Sequence, residues 1–403
     1  MSRLKKVKGG VCVPYDFVAG GIFCGIKESN RNRDDLAIVY SQRKSVAAAT
    51  FTTNQVKAAP VKVSMKHIRS RNVRAVVLNS GNANACTGKR GFDDALTMAK
   101  TAAEALNLQA KQVLVCSTGR IGIPMPMGKI TPKLRSLANA LTREGGEAAA
   151  RAIMTSDTYA KEAARELVIN GVRVRLGGMA KGAGMIDPKM ATMLCVITTD
   201  ATVSASVLRQ ALREAVAHSF NRITIDGDMS TNDTVIVLAN GASECTPIRG
   251  GSAEYAMFLE ALHSLCLELA RLIVLNGEGV SKFVEVEVRG AVNNVEARYA
   301  AEAVANSILL KCAWAGNDPN WGRIMDALGY SGAKIEEDRV DISLNQFLMV
   351  VGGVAGPASV SSLRKAATGK EFRIGIDLHL GEGRYAVLTT DLTEEYVRLN
   401  LGE

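Results

Sequence analysis

The stretch of sequence that decides the fold runs from residue 177 to residue 199 and reads GGMAKGAGMIDPKMATMLCVITT. We predict a glycine-rich loop here, followed by Asp187-Pro188 and then by a buried strand over the apolar residues 193–197. Thr192 stands where the loop enters this strand. Taken alone, this position favours a simple interpretation, in which Thr192 is a β-branched residue that opens the strand.

A second interpretation of Thr192 is chemical. A threonine hydroxyl becomes an effective nucleophile only when a neighbouring base removes its proton. If the bond between Ala191 and Thr192 is cut, the new α-amino group of Thr192 can be that base, because its ordinary pKa of about 7.7–8.0 is close to neutral pH. The cut itself can arise by attack of the Thr192 hydroxyl on the carbonyl of Ala191, a small residue that follows flexible glycines.

Two other glycine patterns resemble nucleotide-binding loops but fail at required positions. Gly182-Ala183-Gly184 begins a dinucleotide-binding pattern, but Asp187 occupies the place of its third glycine. The stretch from Gly122 to Ile130 resembles a phosphate loop, but Ile130 stands where Ser or Thr is required. We therefore expect no nucleotide cofactor.

The composition is that of a soluble globular protein. The chain has 403 residues, of which 47% are hydrophobic and 22% are charged, and this length accommodates two domains or one large domain. The net charge is +9, but the basic residues are scattered apart from Lys5, Lys6 and Lys8. Because no nucleic-acid-binding module accompanies the charge, we expect anionic small molecules rather than nucleic acids as partners.

The cysteine and histidine residues do not indicate a metal site. The eight cysteines are widely spaced and form no CxxC pair, and the four histidines are isolated, so we expect free thiols, no disulfide framework and no metal. The N-terminal region lacks the apolar stretch of a signal peptide, and no run approaches the roughly 20 apolar residues of a membrane-spanning helix. These features favour a cytoplasmic protein.

Short β-type runs alternate with helical segments, which predicts an α/β or α+β core. The clearest strand candidates in the first two thirds of the chain are residues 74–79, 112–116 and 234–240. The clearest helix candidates are residues 92–106, 206–219 and 253–275. The last of these ends at Asn276-Gly277, a predicted left-handed stop.

The last third of the chain is rich in predicted strands. They cover residues 283–288, 340–344, 347–351, 372–380 and 386–388. The chain contains no repeat, no low-complexity stretch and no clear linker. We therefore expect one interwoven unit.

Six segments in order resemble the ornithine acetyltransferase family, whose members are also called glutamate N-acetyltransferases. The first is KGAGMIDPKMATML at 181–194, which resembles the self-cleavage segment of the family. The others are FTTN with KAAPV at 51–54 and 57–61, NSGNANACTG at 79–88, STG at 117–119, DPNWGR at 318–323, and DLT at 391–393. Together they span nearly the whole chain.

This resemblance implies an architecture and an activity. The implied fold has stacked sheets between helices, an α/β/β/α arrangement of the self-cleaving acetyltransferase and aminopeptidase kind. Fragments 1–191 and 192–403 would be interwoven and would assemble as two alpha and two beta fragments. The implied reaction moves acetyl from N2-acetyl-L-ornithine to L-glutamate through an acetyl-enzyme, and some members also accept acetyl-CoA.

The resemblance also implies roles for individual residues. Thr192 matches the nucleophile, and Thr118 and Gly119 match the oxyanion hole, in a predicted turn after the strand 112–116. The residues that match substrate contacts are Thr155, Lys181, Thr192, Glu278 and Asn400. Without the family, Thr118-Gly119 is a plain strand-ending turn, Lys181 a solvated loop lysine, Thr155 a helix cap or turn residue, and Glu278 an exposed turn residue.

The chain departs from the family pattern at several positions. Asp187 and Lys189 stand where many members have a small residue or histidine and asparagine, and Ile123 stands where glutamate is common. Residues 400–403 read NLGE, without the terminal Ser or Thr of relatives. Two alternatives to the transferase therefore stay open, namely a hydrolase of the same self-cleaving fold and a non-catalytic binding homologue.

Overall fold

The computed structural model describes residues 4–27, 33–187 and 193–401. The chain forms two compact units, and it passes from one to the other more than once. Within the described ranges, unit 1 contains residues 4–182, 193–221 and 229–273, and unit 2 contains residues 183–187, 222–228 and 274–401. The predicted nucleophile Thr192 and cleavage-site residue Ala191 lie outside the described residues, as does Lys189.

Unit 1 contains ten strands and six helices within the described ranges. The strands are β1 Lys5–Val7, β2 Phe17–Ile22, β3 Leu36–Ser41, β4 Val46–Phe51, β5 Ala75–Asn82, β6 Val113–Arg120, β7 Lys161–Ile169, β8 Val172–Lys181, β9 Leu194–Thr199 and β10 Thr234–Ala239. The helices are α1 Ala59–His67, α2 Gly88–Ala105, α3 Met127–Ala138, α4 Gly146–Ala152, α5 Ala205–Ala217 and α6 Ala253–Leu275, of which α6 begins in this unit.

Two sheets stack in unit 1. The larger has the strand order β1-β7-β8-β9-β10-β4, and the smaller has the order β2-β3-β5-β6. A shared apolar core lies between them, with Leu78 and Leu114 from the smaller sheet and Val196 and Leu238 from the larger. Burying these side chains on both inner faces holds the sheets together.

Helices cover the two outer faces of these sheets. Helices α2 and α3 pack on the smaller sheet, where Met98 and Leu134 join Val77 in one buried cluster. Helix α6 packs on the larger sheet, since a Cβ atom built on Gly178 of β8 would lie 2.9 Å from Leu269 Cδ1. Unit 1 therefore has the α/β/β/α layering that the family resemblance implies, and the predicted fold class is confirmed.

The predicted glycine-rich loop is wrong over its first five residues, because residues 177–181 belong to strand β8. A Cβ atom on Gly177 would lie 2.0 Å from the carbonyl oxygen of Gly10, and the one on Gly178 would press against α6. These glycines therefore allow close packing against both faces of a strand and do not form a turn.

Unit 2 is built on one six-stranded sheet with the order β14-β13-β12-β15-β11-β16. Its strands are β11 Phe283–Ala291, β12 Asp341–Leu344, β13 Phe347–Val351, β14 Val354–Ala355, β15 Glu371–Asp377 and β16 Gly383–Thr390. Its helices are α7 Asn294–Asn306, α8 Ile308–Ala315, α9 Trp321–Gly329, α10 Val360–Ala367 and α11 Glu394–Leu399. Side chains such as Val286 and Ile374 of the sheet share a core with Val304 of α7 and Leu328 of α9.

The predicted elements agree with this structure in most places. Helix α6 has the predicted bounds, and the apolar run 193–197 leads into β9. The predicted stop after α6 is wrong, because the left-handed residue is Gly279, with φ +64°, and neither Asn276 nor Gly277 has a positive φ.

The eight cysteines are free thiols, as expected, with six buried and two, Cys86 and Cys312, exposed. Among the described residues, no helix is both long enough and apolar enough to cross a membrane.

Candidate functional site

The predicted oxyanion residues lie in a strand rather than in a turn, which corrects the sequence-based expectation. Strand β6 continues to Arg120, and Gly119 pairs with Gly81 of the parallel strand β5. Gly119 has φ +129°, and a Cβ atom on it would lie 2.3 Å from the carbonyl carbon of Gly81. Only glycine is compatible with both the dihedral angle and this close approach.

Buried polar side chains hold the ends of β5 and β6. Ser117 Oγ donates to Asn79 Oδ1 at 2.6 Å, and Asn79 Nδ2 donates to the carbonyl oxygen of Asn82 at 2.9 Å. Asn232 Nδ2 donates at 2.7 Å to the carbonyl oxygen of Ser117. Asn79 and Asn232 therefore satisfy backbone carbonyl groups at the ends of these strands, which fixes the position of the adjoining Thr118.

Lys181, the last residue of β8, is buried beside Thr118. Only 3% of the residue is exposed, and its Nζ donates to Thr118 Oγ1 at 3.2 Å. The structure therefore brings together a predicted substrate-binding residue and a predicted oxyanion residue. Because the ammonium occupies a lone pair of Thr118 Oγ1, the hydroxyl proton of Thr118 points elsewhere and can be donated to a third group.

Asp157 connects the segments that carry Thr155 and Lys181, and the sequence assigned it no role. Its Oδ2 accepts the backbone N–H of Thr155 at 2.9 Å. Its Oδ1 accepts the backbone N–H of Gly182 at 2.9 Å and the ammonium of Lys161 at 2.5 Å. Asp157 and Lys161 have exposed fractions of 1% and 0%. The one sequence feature that could have identified Asp157 as part of the site is its position two residues after Thr155, which matches a substrate contact of the family.

The charges of this cluster determine its protonation. Burial alone would raise the pKa of Asp157, but Lys181 and Lys161, with the N–H of Gly182, bring that pKa down to about 2. Burial lowers the pKa of Lys161 against the opposing effect of Asp157. Asp157 is therefore a carboxylate at neutral pH, and it faces two lysines.

Lys27 is a further lysine near these residues that sequence reasoning missed. Its aliphatic stem covers Gly81, where an added Cβ atom would lie 2.6 Å from Lys27 Cγ. Burial lowers its pKa to about 8, with Arg33 and Lys181 lowering it further and Asp35 opposing them. Lys27 beside Gly81 and Lys181 beside Thr118 thus place two lysines at the ends of β5 and β6, which favours an anionic ligand there.

The start of β9 is held at the same end of the larger sheet. In the register of this sheet, Leu194 pairs with Lys181 of β8 and with Thr234 of β10. The backbone N–H of Met193 donates to Asp233 Oδ1 at 3.0 Å, and burial raises the pKa of Asp233 well above its ordinary range. Met193 directly follows Thr192 in the chain.

Glu278 and Asn400 contact each other in unit 2. Asn400 Nδ2 donates to Glu278 Oε2 at 3.0 Å, and the backbone N–H of Glu278 donates to the carbonyl oxygen of Ala183 at 2.8 Å. A Cβ atom on Gly184 would lie 2.5 Å from Glu278 Oε2. The glutamate is half-buried rather than an exposed turn residue, and a small neighbour is required beside its carboxylate.

The DLT segment supports the residues that follow Glu278. Asp391 Oδ1 accepts the backbone N–H groups of Ser281 and Lys282 at 2.9 and 3.0 Å. Thr393 Oγ1 donates to the carbonyl oxygen of Gly279 at 2.6 Å. This family motif therefore acts through backbone hydrogen bonds that hold the chain next to Glu278.

The chain is similar to known proteins over nearly its whole length. A protein-family model described as the ArgJ family matches residues 18–402. The arginine biosynthesis bifunctional protein ArgJ of Symbiobacterium thermophilum is 47% identical over 392 residues, which cover 97% of this chain and 98% of that protein. The protein of the same name from Geobacter sulfurreducens is 48% identical over 373 residues, which cover 91% of this chain and 94% of that protein.

Solved structures include similar proteins. One is the ornithine acetyltransferase of Mycobacterium tuberculosis in complex with ornithine, which is 38% identical to this chain. The match covers 48% of this chain and 100% of that chain, with a TM-score of 0.42.

Proposed function

Because this chain belongs to the ArgJ family, we propose that it transfers the acetyl group of N2-acetyl-L-ornithine to L-glutamate through an acetyl-enzyme formed on Thr192. The products are L-ornithine and N-acetyl-L-glutamate. Relatives that share 47% and 48% of their residues with this chain bear the name of a bifunctional protein of arginine biosynthesis. The resemblance to a family in which some members accept acetyl-CoA supports acetyl-CoA as a second acetyl donor.

One observation carries the proposal, namely the hydrogen bond of 3.2 Å from Lys181 Nζ to Thr118 Oγ1. A hydroxyl that accepts from a buried ammonium directs its own proton away from that ammonium and becomes a better donor. This is the property that an oxyanion hole requires, because the negative charge of a tetrahedral intermediate is stabilised by donors that are already in position.

The first half of the reaction transfers acetyl to the enzyme. Thr192 Oγ1 attacks the acetyl carbonyl carbon while the α-amino group of Thr192 takes the hydroxyl proton. Thr118 Oγ1 and the backbone N–H of Gly119 donate to the oxyanion. The carbon–nitrogen bond to ornithine then breaks, and the α-amino group returns the proton to the leaving amine, so that ornithine departs and an acetyl ester remains.

The second half transfers the acetyl group to glutamate. The amine of glutamate attacks the ester carbonyl, its proton passes to the α-amino group, and the ester bond breaks as Thr192 Oγ1 regains a proton. The proposed substrate contacts are Lys181, Thr155, Glu278 and Asn400. Cleavage between Ala191 and Thr192, assembly of two alpha and two beta fragments, and a cytoplasmic location complete the proposal.

The proposal is tested by denaturing mass spectrometry together with an acetyl-transfer assay. Wild-type protein should give two fragments that meet at residues 191 and 192, whereas Thr192→Ala should stay intact and transfer no acetyl. Thr192→Ser is the matched control, because it keeps a hydroxyl and should still be cleaved. An intact wild-type chain that transfers acetyl would contradict the mechanism.

The same assay separates transfer from hydrolysis. Loss of acetylornithine should depend on glutamate, and a rate that is independent of glutamate would identify a hydrolase instead. Purified protein that stays uncleaved and inactive would identify a binding homologue. Acetyl-CoA is supplied in a separate reaction to test whether it serves as a donor.

A further inference from the structure

A single buried carboxylate, that of Asp157, holds two segments of unit 1 in place. It accepts the backbone N–H of Thr155 through one oxygen and that of Gly182 through the other, both at 2.9 Å. Gly182 directly follows Lys181, so this bond fixes the end of strand β8. Asp157, which is itself only 1% exposed, thereby fixes the position of Thr155 relative to Lys181.

The charge of Asp157 also has a defined effect on its neighbours. Lys161 Nζ lies 2.5 Å from Asp157 Oδ1 and 5.1 Å from the centre of the Tyr159 ring, and Lys161 has no exposed surface. Within the trio of Asp157, Lys161 and Lys181, one negative charge meets two positive charges. A buried ammonium is retained only when an anion compensates it. Asp157 is in direct contact with Lys161, whereas Lys181 is near enough to lower the pKa of Asp157 and makes its hydrogen bond to Thr118.

We propose that Asp157 is a positioning residue for acetyl transfer, which aligns Lys181 with Thr118 and helps to compensate the charge of Lys181 inside the protein. This inference rests on the proposed function, because it takes Thr118 as an oxyanion donor. Asp157 acts through Lys181 and does not contact the reacting atoms. Its effect on kcat should therefore disappear when the Lys181 ammonium is absent, whereas its effect on KM through Thr155, a proposed substrate contact, should remain.

Asparagine cannot replace Asp157 in this arrangement. Both oxygens of the carboxylate accept hydrogen bonds, from Thr155 on one side and from Gly182 and Lys161 on the other. An amide has only one oxygen, and its NH2 group would face one of these donors. Asp157→Asn therefore loses the link on one side and removes the negative charge 2.5 Å from the Lys161 ammonium.

The matched control is Asp200→Asn. Asp200 is also fully buried, and its carboxylate accepts the backbone N–H groups of Arg175 and Tyr15 at 2.8 and 3.2 Å. It follows Thr199 at the end of β9 that is remote from Leu194, the residue paired with Lys181. Both substitutions remove a buried carboxylate, but only Asp157→Asn disturbs the alignment of Lys181.

The experiment is a double-mutant cycle with Lys181→Gln, in which kcat and KM are measured for acetylornithine and glutamate and normalised to cleaved enzyme. We expect Asp157→Asn to lower kcat about 100-fold, as misplacement of a catalytic group does. In the Lys181→Gln background the same substitution should change kcat less than about 3-fold, because coupled residues are not additive. Asp200→Asn should leave kcat within about 3-fold of wild type in both backgrounds.

Equal and additive effects of Asp157→Asn and Asp200→Asn on kcat would overturn the inference, because both would then act through stability alone. If Asp157→Asn does not accumulate as folded protein, the cycle is run with Asp157→Glu, which keeps the charge and displaces the carboxylate. A coupled loss of kcat is again expected, and additivity again contradicts the inference. Failure of the proposed function is distinct, since wild-type protein would then transfer no acetyl.

Discussion

The hydrogen bond from Lys181 Nζ to Thr118 Oγ1, at 3.2 Å, joins the two stacked sheets of unit 1 at the end of strand β8. Thr118 belongs to β6 of the smaller sheet, and Lys181 belongs to β8 of the larger. Both residues are less than 5% exposed. The relative position of the two sheets therefore determines the distance between these side chains.

Removal of the Thr118 hydroxyl should reduce the rate of acetyl transfer. Thr118→Val keeps the shape but removes the donor, so we expect kcat to fall by about 10²–10³-fold, the typical effect of losing one oxyanion donor. Steady-state kinetics with saturating glutamate measures this change. Thr101→Val is the control, because Thr101 is equally buried but lies on α2. Equal kcat values for the two variants would contradict the assignment.

Gly119→Ala should be strongly destabilising. The added methyl group would lie 2.3 Å from the carbonyl carbon of Gly81, at a φ of +129°. We therefore expect the free energy of unfolding to fall by about 3 kcal/mol or more. Gly122→Ala is the control, because Gly122 has φ +83° but no atom within 4 Å of an added Cβ, and it should cost about 1–2 kcal/mol. Chemical denaturation measures both, and similar losses would show that close packing is not the cause.

Lys311 should make stability depend on pH. It is buried in unit 2, its Nζ donates to Thr389 Oγ1 and to the carbonyl oxygen of Thr390, and burial lowers its pKa from 10.5 to about 7. Between these two values the unfolded chain binds a proton that the folded chain does not, so this group makes stability rise with pH, by at most about 1.4 kcal/mol per pH unit.

The variant Lys311→Met should lose this contribution. Denaturant unfolding from pH 7 to pH 10 measures the free energy of unfolding of both proteins, and the wild-type curve should rise relative to that of the variant. Parallel curves would mean that Lys311 titrates alike in the folded and unfolded states.

Glu278→Gln should weaken substrate binding. The carboxylate of Glu278 accepts a hydrogen bond from Asn400, and its loss removes the charge that would pair with a substrate ammonium. We expect KM for acetylornithine to rise about 10-fold or more, the effect of a charged hydrogen bond of about 1.5–3 kcal/mol. Glu287→Gln is the control, since Glu287 is a half-buried carboxylate on β11 that pairs with Arg373. An unchanged KM in Glu278→Gln would remove this residue from the proposed contacts.

Regular elements were predictable where the sequence pattern is local. The apolar spacing of residues 253–275 predicts helix α6, and the run 193–197 predicts β9. At Gly177 and Gly119 the sequence predicted a loop and a turn, but both residues lie in strands. A glycine that is required for close packing cannot be distinguished in sequence from one that is required for a turn.

The candidate site was predictable only in part. Lys181 and Thr118 were identified through family motifs, and the structure brings them together. Asp157 and Lys161 were missed, because a sequence does not show which charged side chains are buried together. Their role depends on partners that only tertiary contacts bring close. Thr192 and Ala191, outside the described residues, stay predictions.

The strand order of the larger sheet has a consequence for biosynthesis. Strands β9 and β10 come after residue 192, yet they lie between β8 and β4, which come before residue 191. A fragment made of residues 1–191 alone would expose two unsatisfied sheet edges, which promote aggregation. If the chain is cut between residues 191 and 192 as proposed, the intact chain is the species that must fold, and the cut has to wait until all six strands are aligned. Fragments synthesised separately should need to meet before either becomes a stable protein.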